Sequence, residues 1–244
     1  MSLKVNFQTS IGVATGTSPM CKHACGMIRN MQKYIYVVLI ESYTGLGILL
    51  KKFTGYRYEH IAVSLEKSLT EFYSFSRKQH HHPFKAGFMK EYRDYYAFEE
   101  YQKFYSKIFA IPVTDEQYYD IKKFIDRLLN DNEQIFNLFA MLTTPIIHGF
   151  RVYKAHNCMD FTARVIEMAG VKLDKPFYKY DIPDIEKLLN GYPMKEGYVK
   201  RLDSDDYEKY VEKSNIFTGA CEFLKAVVTL TKRCLFKSYL DEDY

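Results

Sequence analysis

The chain has 244 residues, with 34 basic and 30 acidic side chains for a net charge of +4, and is 47% hydrophobic and 26% charged. This composition suits a globular chain with a substantial core and excludes wholesale disorder, while so small and dispersed a charge excess excludes a dedicated nucleic-acid surface. Aromatic content is high and one-sided, with 22 Tyr and 18 Phe but no Trp, so amphipathic rings are expected in half-buried positions and along a cleft.

Met1 to Gln8 carries no basic segment followed by an apolar run, which makes the cytoplasm the expected location. The five cysteines, at 21, 25, 158, 221 and 234, are an odd number and point to reduced thiols rather than a disulfide framework. No uninterrupted apolar stretch reaches the roughly 20 residues of a membrane helix. The nearest, Ile216 to Phe236, is broken by Glu222, Lys225, Lys232 and Arg233.

Residues 1–33, rich in Ser, Thr, Gly and Met without periodicity, read as a loosely packed extension. Within them Cys21-Lys22-His23-Ala24-Cys25 offers three possible zinc ligands, but no second cluster supplies a fourth, so neither a metal nor an organic cofactor is expected. The main domain is expected over 34–200. Tyr34 to Ile40 is β-branched and aromatic, the composition of a buried strand, and Ser42 to Phe53 reads as a turn and short helix. A hairpin follows, Ile61 to Leu65 against Leu69 to Arg77 across Glu66-Lys67-Ser68. With Leu65 opposite Leu69, paired numbers sum to 134, which sets His60 opposite Ser74 on a shared face and turns Glu71 and Tyr73 to the other.

His80-His81-His82-Pro83 reads as a solvated loop, and Lys107 to Val113 as a further strand. Thr114-Asp115-Glu116-Gln117 has the spacing of a capping box, and Tyr118, Ile121, Ile125 and Leu128 give the helix behind it one apolar face. A second helix is expected over Asn157 to Ala169, stopped by Gly170, with Phe161, Val165 and Met168 inward. A short helix follows at Asp184 to Leu189. Residues 201–244 form a helical appendage whose Asn215 to Lys237 segment reads first as a packed helix and second as an amphipathic membrane surface.

Two residues far apart carry the chemistry. His60 opens a strand and Cys158 stands where a helix begins; a thiol at a helix N-terminus meets unpaired backbone N–H groups and the positive end of the dipole, which favour its thiolate. An imidazole on a rigid strand would complete a nucleophile and base. His156 is too near the helix start to reach over it, and His148 is the other histidine close in sequence.

The stretch from Tyr34 to Arg77, with Thr44-Gly45-Leu46-Gly47, Thr54-Gly55, Tyr58-Glu59-His60-Ile61-Ala62-Val63-Ser64-Leu65 and Tyr73-Ser74-Phe75-Ser76-Arg77, together with Asn157-Cys158-Met159-Asp160-Phe161-Thr162-Ala163, resembles the circularly permuted papain-like amidases of the NlpC type. The YiiX-like proteins and, more distantly, lecithin retinol acyltransferase belong to this wider group. The resemblance covers about residues 34–195, and the order His before Cys is that of the permuted arrangement. It implies an α+β fold in which an antiparallel sheet packs on a Cys-bearing helix, with Cys158 as nucleophile, His60 as base and Ser74 in the third, orienting place. Relatives put a carboxylate, amide or second imidazole there, so Glu71 or a backbone carbonyl remains an alternative. The implied activity is that of a cysteine hydrolase on amide or peptide bonds; the alternatives are a lipid-directed acyltransferase and a non-catalytic binding module. A small peptide, amide or lipid is the implied partner.

Overall fold

The run of β-branched and aromatic residues after position 32 forms strand β1, Lys33–Ile40, in the computed structural model, which describes residues 32–41, 55–82, 84–97, 102–143, 149–202, 207–211 and 215–237. β1 lies inside a six-stranded antiparallel sheet. On one side stand β2 (His60–Ser64), β3 (Glu71–Arg77) and the edge strand β4 (Ala86–Tyr92); on the other stand β5 (Lys103–Val113) and the edge strand β8 (Met194–Lys200). Between them in sequence, β6 (Ile135–Phe136) and β7 (Ala155–His156) form a short parallel pair. The expected segments 1–31 and 42–54 lie outside the described residues, as does His148.

Strand alternation divides the core in two. Ile35, Val37, Leu39, Ile61, Val63 and Phe75 face one way and pack with the helices α2 (Asp115–Asn130) and α4 (Cys158–Met168). Val38, Ile40, Ala62, Phe72 and Phe104 face the other way, beneath Tyr95 and Tyr96 of the single turn α1 (Arg93–Tyr96) and beneath Tyr210. The chain is thus α+β, with a sheet between two apolar layers.

The helices start where local chemistry supplies caps. Gln117 N–H donates to Thr114 Oγ1 at 3.1 Å while Thr114 N–H donates to Gln117 Oε1 at 2.9 Å, a complete capping box for α2. Asn157 caps α4, its side chain accepting from Asp160 N–H at 2.8 Å. Gly170 takes φ +84° just past the helix, and a side chain there would collide with Gln117. The remaining helices are α3 (Leu138–Thr143), α5 (Ile182–Leu188) and α6 (Ile216–Phe236).

Three expectations are corrected. The hairpin register pairs Val63 with Tyr73, so paired numbers sum to 136 rather than 134. Leu69 at φ +54° lengthens the connection instead of entering the ladder; because the displacement is two residues, parity is kept and His60 still shares a face with Ser74. The histidine loop is solvated only at His81: His80 and His82 are buried, His80 stacked 4.5 Å from Tyr95 and His82 Nδ1 2.9 Å from Glu222 of α6. Burial, with some help from Arg77, holds His80 neutral by lowering its pKa to about 3. Residues beyond 200 also enter the core, since Tyr210 is buried in the second cluster and Leu230 of α6 is buried beside Leu138, Val152 and Ala155. No helix among the described residues is long and apolar enough to cross a membrane.

Candidate active site

His60 is the first residue of β2, held by the ladder opposite Ile40 of β1. On the neighbouring strand Ser74 is fully buried, with its Oγ 3.1 Å from His60 Nε2. The next strand supplies a residue that the sequence reading missed. In the β3–β4 register Glu91 stands opposite Phe72 and Met89 opposite Ser74, so Ser74 and Glu91 are diagonal neighbours on one face. Ser74 Oγ donates to Glu91 Oε1 at 2.9 Å, and Glu91 Oε2 lies 3.7 Å from His60 Nε2.

This geometry assigns the protons. A serine hydroxyl has one hydrogen, and Ser74 spends it on the acceptor-only carboxylate, so its lone pair accepts from His60 Nε2–H. Tyr96 closes the polar cluster: its hydroxyl donates to Glu91, and its ring sits 5.6 Å from the imidazole. Burial, and then the Glu91 charge, keep the Tyr96 hydroxyl protonated well above the ordinary tyrosine range.

Cys158 arrives from the other half of the chain as the first residue of α4, a helix packed on the sheet through Phe161, Val165 and Ile166. Its thiol acts on the His60 imidazole. Burial works against a charged imidazole, but the charge and hydrogen bond of Cys158, followed by those of Glu91, outweigh it and push the His60 pKa from 6.5 up to about 10. The His60 side chain keeps 16% of its surface exposed, while Cys158 is buried. Two turns of chemistry meet here: a thiol beside unpaired helix N–H groups and an imidazolium held by a buried carboxylate.

The other candidates sit elsewhere. Glu71, on the opposite face of β3, accepts from Tyr73 at 2.9 Å and from Lys90 at 2.8 Å. His156 is buried with its ring 5.4 Å from Phe75. Asp160, two residues after Cys158, is buried deeply enough that desolvation, only partly offset by Asn157 and Arg151, raises its pKa to about 7. Among the described residues no cluster of His, Cys, Asp and Glu could hold a metal ion.

A cavity of about 650 Å³ opens on the sheet face that carries α4. Its lining includes Tyr56, four residues before His60, and Lys107, which is registered with Leu39 and through it with Ile61. Lys107 Nζ donates to Glu186 at 2.6 Å, Tyr56 donates to the same carboxylate, and Phe109 and Tyr192 add aromatic walls.

Glu91 left little trace in the sequence. Ala86 to Tyr92 has Gly, Lys and Glu scattered among its apolar residues, and nothing local tells that a glutamate there will be buried. The aromatic cluster Tyr92, Tyr95, Tyr96 just behind it was the available hint of a packed segment. Comparison of the chain with family models, with curated proteins and with solved structures found no match.

Proposed function

We propose that the protein is a cysteine hydrolase or acyl-transfer enzyme of circularly permuted papain-like, NlpC-type fold, acting on amide or peptide bonds. The observation that carries this reading is the hydrogen-bonded chain His60, Ser74, Glu91, with Cys158 close enough to raise the imidazole pKa; since Nε2 is committed to Ser74, Nδ1 would be the nitrogen that meets the thiol. The order of the chain supports the fold, with the His strand before the Cys helix.

In this reading Cys158 gives its proton to His60 and attacks the substrate carbonyl as the thiolate. The oxyanion of the tetrahedral intermediate is met by the Cys158 backbone N–H at the start of α4. The imidazolium then protonates the leaving amine, the C–N bond breaks and a thioester remains on sulfur. Water, deprotonated by His60, attacks the thioester and releases the carboxylic acid with the thiol restored; an alcohol or amine in place of water would give acyl transfer. Ser74 and Glu91 hold the ring orientation and the imidazolium charge, a role filled in related chemistry by a single polar residue.

Alkylation by iodoacetamide, read at each cysteine by mass spectrometry, tests the pair. Cys158 is expected to label faster at pH 6 than the exposed Cys221 and Cys234 and to lose that advantage, by roughly a hundredfold, in His60→Ala. Equal labelling at all three would sink the catalytic reading and leave a binding module. A positive result would direct substrate trials to amides and thioesters.

A further inference from the structure

We propose that the outer face of α6 is a docking surface for an anionic phospholipid membrane. A helix that packs one side against a protein core normally turns polar residues to the other. This one does not. Leu230 is buried, and Arg233 faces inward, donating to the carbonyls of Tyr153, Lys154 and Glu133. The opposite side carries Phe217, Leu224, Val228 and Leu235, whose spacing of seven, four and seven puts them on one stripe. Phe217, Leu224 and Leu235 are 78%, 63% and 70% exposed, and Phe236 continues the patch.

Charge decides what covers this stripe. Lys225, Lys232 and Lys237 are exposed along it, while Glu222, the one carboxylate within Ile216–Phe236, is turned toward the body and occupied by His82. At the C-terminal end a groove of about 330 Å³ is lined by Phe150, Arg151, Arg233 and Lys237, with no acidic residue among the described residues that line it. An apolar stripe flanked by lysines and ending at a basic groove complements acyl chains below a layer of anionic headgroups. At 21 residues, about 31 Å long, and anchored along its inner side, the helix would lie in the interface rather than span it. The inference is independent of the Cys158 chemistry.

The test is flotation of the full chain with vesicles of phosphatidylcholine alone or with one third phosphatidylserine, at about 0.1 M and about 1 M salt. Flotation is expected with phosphatidylserine at the lower salt and should be lost at the higher. Leu224→Glu should abolish it, and Lys225→Gln and Lys232→Gln should each weaken it roughly fivefold. Cys158→Ser should float like the parent, which separates this result from the fate of the enzymatic reading. Because Leu224 is exposed, the variant should melt with the parent; Phe217→Ser serves as the second variant if it does not. Absence of flotation, equal flotation on both compositions, flotation indifferent to Leu224→Glu, or self-association that replaces flotation and disappears in Leu224→Glu would each overturn the proposal.

Discussion

Nε2 of His60 lies 3.7 Å from Oε2 of Glu91, a side chain with no exposed surface. The hydroxyl of Ser74 is inserted beside that contact, touching both partners. A buried carboxylate needs hydrogen-bond donors, and Ser74 and Tyr96 provide them. The sheet therefore delivers a shielded negative charge to the imidazole that Cys158 meets.

Glu91→Gln and Ser74→Ala separate charge from orientation. Since His60 is raised from 6.5 to about 10 in the fold, its contribution to stability is complete below about pH 6.5 and is lost as pH rises through about 10. Glu91→Gln removes one source of that rise, so the variant should be less stable than the parent at pH 6.5, by about 1.4 kcal/mol per unit of pKa lost, with the gap closing toward pH 10. Ser74→Ala keeps both charges and should cost about 1–2 kcal/mol at either pH. Urea unfolding at the two pH values reads both. A Glu91→Gln gap that stays constant would mean that Glu91 does not stabilise the imidazolium.

Asp160 has the opposite practical consequence. Desolvation raises it from 3.8 to about 7, so the stability it allows is complete below about pH 3.8 and is lost as pH rises through about 7. Asp160→Asn cannot ionise. It should exceed the parent in stability by up to about 4 kcal/mol above pH 7, with the advantage fading toward pH 4. Thermal melts across that range decide it, and a pH-independent difference would remove burial as the cause.

Two truncations test how far the core extends. Phe161→Ala empties the layer shared by Phe75, Phe88 and Phe124 and should cost about 3–5 kcal/mol. Leu230→Ala should cost about 2–5 kcal/mol in the same cooperative transition, because Leu230 is buried against Leu138 and Val152. Were α6 an independent appendage, the Leu230 variant would leave the main transition in place.

Local chemistry in the sequence determined β1, the parity of the β2–β3 hairpin, the Thr114 capping box, the Gly170 stop and the positions of Cys158 and His60 at element starts, since each depends on a few neighbouring residues. What required the tertiary structure was everything set by partners distant in sequence. Glu91 is 17 residues from Ser74, and its burial comes from strand pairing and the Tyr96 lid, not from its own segment. His80 and His82 read as polar until Tyr95 and Glu222 arrive beside them. The meaning of α6 also changed: its composition is that of a core helix, yet only the packing reveals that Leu230 faces in while Leu224 and Leu235 face out. Periodicity reports that a face is apolar; the rest of the chain decides whether that face is covered.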